Sequence, residues 1–210
     1  MSTDTTLRIA LVVGSVRDRR IAGALADWLV TELDGYEGIR LDRIDLAEVD
    51  LPLPFARPDG TGSAIAHRLA AADGFLILTP EYNHSFPAAV KNAIDWHYGE
   101  WAYKPVGFVG YGGSGGIRAI EHLRAVFPEL RATTVREAVL LALPWTRLGA
   151  DGRYRPADGE RGALTATVTE LLWWARTLRA GRAATEQAGR AGRGADDGAV
   201  GDGGSADGAA

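Results

Sequence analysis

The sequence predicts an α/β fold, a three-layer sandwich in which a five-stranded parallel sheet carries helices on both faces. Three observations point there. Strand-like and helix-like patterns alternate along the chain, as βαβ units require. Two of the strand-like runs, Leu7–Val13 and Gly74–Thr79, are apolar but for Arg8 and Thr79 near their ends, as strands covered on both faces are. With 210 residues, 46% of them apolar, and no internal repeat, the chain can bury one sizeable core.

The elements follow in order. Leu7–Val13 is the first strand. A helix follows over 20–33, with Ile21, Leu25, Trp28 and Leu29 at helical spacing. Residues 39–44 alternate apolar with charged, the pattern of an edge strand. A loop with Pro52, Pro54 and Pro58 leads to a helix over 63–72. Residues 74–79 form the third strand, which Pro80 ends. Ser85 is placed to cap the next helix, 87–96, with Pro87 near its first position, where a missing N–H costs nothing. Residues 106–111 are the fourth strand, 115–127 the fourth helix and 135–143 the fifth strand. A helix over 164–178 closes the domain. This count fits the flavodoxin-like strand order 2-1-3-4-5, whose ligand crevice lies where the first and third strands diverge.

One domain is therefore expected over 1–180. In 181–210, eighteen of thirty residues are Gly or Ala and only Val200 is a branched apolar residue, so the segment is expected to be a disordered tail. The net charge of −4 argues against a nucleic-acid partner. The absence of cysteine excludes disulfides, thiolate metal sites and cysteine nucleophiles. The four histidines show no metal-ligand spacing, so no metal is expected. No segment approaches the roughly 20 apolar residues of a membrane span, and the N-terminus does not read as a signal peptide; no membrane partner and a cytoplasmic location are expected.

Three loops carry the chemistry. GSVRDRR, Gly14–Arg20, leaves a buried strand and opens a helix, so its free N–H groups and the positive end of the helix dipole form an anion site. Gly14 permits the tight turn, Ser15 offers a hydroxyl, and Arg17 can fork onto two phosphate oxygens, with Arg19 and Arg20 adding charge. A monophosphate suits it better than a pyrophosphate, because the three-glycine dinucleotide fingerprint is absent there. The second loop holds Glu81, Tyr82, Asn83 and His84 between strand and helix, at the sheet edge where α/β proteins bind ligands. Ordinary turn chemistry also accounts for Tyr82 and Asn83.

The third loop, YGGSGG, is ambiguous. Gly110–Gly115 matches G-x-G-x-x-G, but no acid stands at the tip of the next strand, so a dinucleotide site is not supported. Gly112–Gly116 matches G-x-S-x-G with Ser114 as nucleophile. The one histidine after it, His122, lies eight residues along the same helix, roughly 12 Å away by helical rise and too far for a serine–base pair. What remains is a glycine loop that lets backbone approach a flat ligand. WHYGEWAY, which holds Trp96, Tyr98, Trp101 and Tyr103, is either an interface or an aromatic cluster under a loop.

GSVRDRR, PEYNHSFPAAVKNAIDW and YGGSGGIRA, in this order, resemble the NAD(P)H-dependent FMN reductase family, flavodoxin-like quinone and azo-compound reductases. The resemblance implies FMN as cofactor, with NADPH or NADH as co-substrate. It places Ser15, Arg17 and Arg20 at the FMN phosphate, and Pro80, Glu81, Tyr82, Asn83 and His84 along the N5 and O4 edge. It sets Gly112, Gly113 and Ser114 at the pyrimidine end, where N–H groups stabilise charge on the reduced ring. It further implies a homodimer or homotetramer in which WHYGEWAY contributes to the contact and to the wall of the acceptor pocket. Many relatives carry Ser and Asn after the phosphate-loop Arg, where this chain has Arg19, Arg20 and Ile21. The expected activity is hydride transfer from nicotinamide to FMN and on to a quinone, azo compound, free flavin or similar acceptor, in ping-pong fashion, with no side chain required as acid or base. The alternatives are a flavodoxin-like electron carrier, which arginines at the site disfavour, and a receiver domain, which would need an Asp where Thr79 and Pro80 stand.

Overall fold

The computed structural model describes residues 6–53 and 63–198, with side chains to residue 188. Five strands, β1 (Leu7–Val13), β2 (Ile39–Asp45), β3 (Gly74–Pro80), β4 (Pro105–Gly112) and β5 (Thr133–Ala142), form one sheet. Its order is β2-β1-β3-β4-β5, and every pairing is parallel. The helices are α1 (Ala22–Leu33), α2 (Ala66–Ala71), α3 (Ala88–Trp96), α4 (Ile117–Val126) and α5 (Asp158–Gly198). The flavodoxin-like sandwich is as the alternating pattern requires.

The period of two along β1 divides the core. Leu7, Ile9, Leu11 and Val13 face α1 and α5, packing with Leu25, Leu29, Val168 and Leu171. Ala10 and Val12 face the other way, with Phe75, Ile77 and Phe108, against α2, α3 and α4. Trp101 is only 1% exposed there, its ring 4.4 Å from that of Phe75. WHYGEWAY therefore splits: Trp96 and Trp101 are core, while Tyr98 and Tyr103 are about half exposed.

Several boundaries depart from expectation. Arg19 sits at φ 51°, a left-handed conformation that a helix cannot include, so α1 starts at Ala22 and not at residue 20. The strand β3 includes Pro80, paired with Tyr111, because a missing N–H is tolerated at the last ladder position. Ser85 does not cap α3: Pro87 is the N-cap, and the Ser85 hydroxyl goes elsewhere. The helix α2 is shorter than the 63–72 expected, since Ser63 takes the Ile65 N–H on its side chain at 3.2 Å and turns the chain first.

In β5, which starts at Thr133, the three residues 135–137 oppose the single Gly107 of β4. Glu170 of α5 accepts from the N–H groups of Arg136 and Glu137, each at 3.0 Å. On the other side, Arg124 of α4 donates to the carbonyls of Val135 and Arg136.

The last helix is the largest departure. It begins at Asp158, because Glu160 accepts from the Ala157 N–H at 2.9 Å, the reciprocal half of a capping box. It runs to Gly198, so residues 181–198, expected as tail, are helical. Ala, Arg, Gln and Glu extend an existing helix without a new nucleus, which composition alone does not register. Arg182 also fastens it, pairing with Asp73 at 3.1 Å and donating to the Tyr103 carbonyl at 2.7 Å. Residues 199–210 of the expected tail, and Pro54 and Pro58 of the expected loop, lie outside the described residues.

Candidate functional site

The carboxyl ends of β1, β3 and β4 release three loops side by side. β1 and β3 are neighbours here, yet the helices that follow them lie on opposite faces, so a crevice opens between their loops. Gly14 is required at the start. A Cβ there would lie 2.5 Å from Val90 Cγ2 and 3.2 Å from the Leu78 carbonyl oxygen. Beyond it, none of the backbone N–H groups from Ser15 to Ile21 donates to a described residue. They form a run of donors at the start of α1, an arrangement suited to an anion.

The second loop is a tight turn. Tyr82 and Ser85 exchange backbone hydrogen bonds, N–H of Tyr82 to O of Ser85 at 2.8 Å and the reverse at 3.0 Å. Asn83 and His84 between them stand at φ 49° and 70°, the two left-handed positions of a type I′ turn. Asn accepts that conformation readily and His less so, which stores local strain at this tip. No described residue accepts from the N–H groups of Asn83 and His84.

Tyr82 joins the two loops. Its hydroxyl lies 2.8 Å from that of the buried Ser15, and the Arg17 guanidinium stacks 3.8 Å above its ring. Among the described residues no carboxylate pairs with Arg17, so its forked donors remain available. Burial pushes the phenol of Tyr111, at the end of β4, well above its usual range.

Two expected ligands are committed elsewhere. Arg20 holds Asp45 through both guanidinium nitrogens, one at 2.9 Å, and donates to the Ser15 carbonyl at 2.6 Å. Through these bonds the arginine positions the loop. Burial opposes the charge on Asp45, but the hydrogen bonds from Arg20 and Ala47 outweigh it and hold the carboxyl below its usual range. The Glu81 carboxylate accepts from the Arg118 N–H at 3.1 Å and from its guanidinium at 2.7 Å. It therefore caps α4 and leaves only its backbone to a ligand.

In the third loop the glycines divide by role. A Cβ at Gly110 would lie 2.8 Å from the Gly115 oxygen, and one at Gly116 2.5 Å from the Tyr111 nitrogen. These glycines pack loop against strand and are not a dinucleotide cradle. A Cβ at Gly113 would meet nothing within 4 Å, and Gly113 is exposed with Ser114 at the tip. The Leu143 N–H donates to the Gly112 carbonyl at 2.9 Å. His122 does not serve Ser114: its Nδ1 is 2.9 Å from Ser85 Oγ, and its ring lies 6.2 Å from that of His84.

Sequence reasoning thus brought Ser15, Arg17, Pro80, Tyr82, Asn83, His84, Gly112, Gly113 and Ser114 to one edge, and missed Asp45, Arg118 and the Ser85–His122 pair. Arg118 had left a signal, since a cation in the first turn of a helix opposes the dipole unless a carboxylate sits beside it.

Comparison with known proteins agrees with this geometry. The sequence model of the family described as NADPH-dependent FMN reductase matches residues 7–146. An NAD(P)H-dependent FMN reductase of Schizosaccharomyces pombe is 34% identical over 154 residues, covering 66% of this chain and 74% of that protein. A 2-hydroxy-1,4-benzoquinone reductase of a Burkholderia species is 35% identical over 185 residues, covering 82% and 98%. Among solved structures, the flavoenzyme NAD(P)H:(acceptor) oxidoreductase FerB of Paracoccus denitrificans shares the fold, with a TM-score of 0.65 at 22% identity over 82% of this chain and 98% of that one. With the family model matching two thirds of its length and relatives 34–35% identical, the chain belongs to the NADPH-dependent FMN reductase family, enzymes that use FMN and NAD(P)H.

Proposed function

We propose that the protein passes hydride from NADPH or NADH through FMN to a small acceptor such as a quinone, azo compound or free flavin, by a ping-pong sequence. The observation that carries this reading is the pair of facing loops whose N–H groups, at 15–21 and at 83–84, have no partner among the described residues. The donor set fits FMN. The first run, with Arg17 beside it, suits a dianionic monophosphate, and the rigid 83–84 tip suits the polar edge of a flat ring. The packed glycines at 110, 115 and 116 leave no second pyrophosphate cradle at the third loop.

When bound, FMN supplies the hydride chemistry. The protein's part is to bind and orient. The start of α1 and Arg17 neutralise phosphate charge, Tyr82 keeps the two loops in register through Ser15, and the N–H groups of Asn83 and His84 donate to the ring edge without covering its face. Gly113 and Ser114 present backbone donors at the opposite end. No acidic or basic side chain needs to enter the reaction.

A homodimer or homotetramer belongs to the same proposal. Beside the glycine loop, Ile117, Leu140, Leu143 and Trp145 are each between 41% and 50% exposed, an apolar surface that association would cover. Among the described residues no helix is long and apolar enough to cross a membrane.

The test is an absorbance spectrum after FMN addition and desalting, followed by anaerobic addition of one equivalent of each nucleotide. Retained FMN that is bleached by NADPH or NADH is the expected result. Retained FMN that neither nucleotide bleaches would identify an electron carrier, and failure to retain FMN would overturn the proposal. Light scattering of the eluted protein reads its oligomeric state.

A further inference from the structure

A second charged site lies at the opposite end of the sheet. Arg8 of β1 and Arg40 of β2 are direct partners in the parallel register, so their side chains leave the same face of adjacent strands. Like charges placed opposite each other are unfavourable without a counterion. Neither guanidinium has a carboxylate or carbonyl partner among the described residues. Arg68 of α2 stands beside them, engaged by both oxygens of Asp42 and by the Arg43 carbonyl at 2.6 Å. The nearby Asp73 carboxylate is held by Arg179 and Arg182.

These groups border a cleft of about 240 Å³, which exists because α2 has only six residues and presents Ala71 and Ala72 to the sheet. Three guanidinium charges against the one carboxylate of Asp42 leave two positive charges on its walls. Arg8 is six residues from Gly14, so the cleft lies about 20 Å along β1 from the flavin loops.

We propose that this cleft binds a small phosphate dianion, with Arg8 and Arg40 forking onto its oxygens and Arg68 fixed by Asp42 as the third wall. A dianion neutralises the net charge, as a monocarboxylate does not. Paired forked donors match the tetrahedral oxygens of phosphate. The alanine wall leaves room for an ester group, so the ligand is inorganic phosphate or a phosphate monoester.

The test uses the full chain loaded with FMN, so that the first anion site is already filled. Amide shifts are followed while inorganic phosphate, phenyl phosphate or chloride is added at matched ionic strength. Saturating shifts confined to residues 8–10, 40–42 and 68–72, seen with the phosphates and not with chloride, are expected. Tighter binding of phenyl phosphate would identify an ester ligand, and equal binding free phosphate. The double variant Arg8→Gln/Arg40→Gln should bind about tenfold or more weakly, each charged hydrogen bond being worth about a factor of ten. Its FMN absorbance should be unchanged. Should that variant fail to fold, Arg40→Gln alone, on the exposed edge strand, should still weaken binding about tenfold. Shifts that follow chloride equally, shifts only in residues 14–21, or unweakened binding by the variants would overturn the proposal.

Discussion

Gly14→Ala tests whether the crevice depends on a close approach of three elements. The new methyl would lie 2.5 Å from Val90 Cγ2 and 3.2 Å from the Leu78 oxygen, the oxygen that already accepts the Gly14 N–H at 2.8 Å. That hydrogen bond prevents the backbone from backing away, so Val90 on α3 or the loop must shift. Overpacking of this kind costs about 1–3 kcal/mol. The φ of Gly14 is not in the left-handed region, so Ala also restricts the unfolded chain, which returns about 0.4–1 kcal/mol. The expected net loss is about 1–2 kcal/mol, or about 2–8 °C in Tm for a domain of this size. Val90→Ala alone removes two buried methyl groups and costs about 1.5–2.5 kcal/mol with its cavity. In the double variant the alanine at 14 occupies space that Val90 vacates, so it should be more stable than the sum of the singles by about 1 kcal/mol or more. Urea denaturation of the four proteins measures the coupling, and FMN titration should show weaker retention for Gly14→Ala with partial recovery in the double variant. Additive losses, or full FMN affinity in a destabilised Gly14→Ala, would refute the argument.

Three further outcomes are expected. Burial lowers the pKa of Lys104, which donates to the Leu69 and Ala70 carbonyls at 2.9 and 2.8 Å, to about 8 from 10.5. Because the unfolded chain binds the extra proton, stability should rise between pH 7.5 and 9.5, by about 2 kcal/mol. Denaturation of wild type and Lys104→Met across that window checks it, the variant lacking the rise. Glu170→Ala strips the acceptor from two strand N–H groups and should cost about 1–2 kcal/mol while speeding hydrogen exchange at Arg136 and Glu137; unchanged exchange there would show that water already serves them. Cutting after Ala180 removes Arg182 but leaves Arg179 and the Arg8 N–H on Asp73, so FMN reduction should persist with a Tm lower by only a few degrees, as differential scanning calorimetry would show.

Sequence by itself determined the layers and the place of the crevice. Mostly apolar runs such as Leu7–Val13, with Arg8 near its start, and Gly74–Pro80 suit strands covered on both faces, and helical stretches between them favour parallel pairing. Where a charged loop such as 14–20 leaves such a strand, its backbone donors must face outward. These are local properties, of period and of turn chemistry, and they stay legible in one dimension. Tertiary structure decided which charges are free. Arg17 and Arg20 are three residues apart and alike in sequence, yet one stacks on Tyr82 while the other is consumed by Asp45, twenty-five residues away. The same holds for Glu81, spent on Arg118, and for the helix past residue 180, whose Arg182 pairs with Asp73. Ion pairs between distant residues depend on which strands lie side by side and how the helices cross them, and no local pattern carries that information.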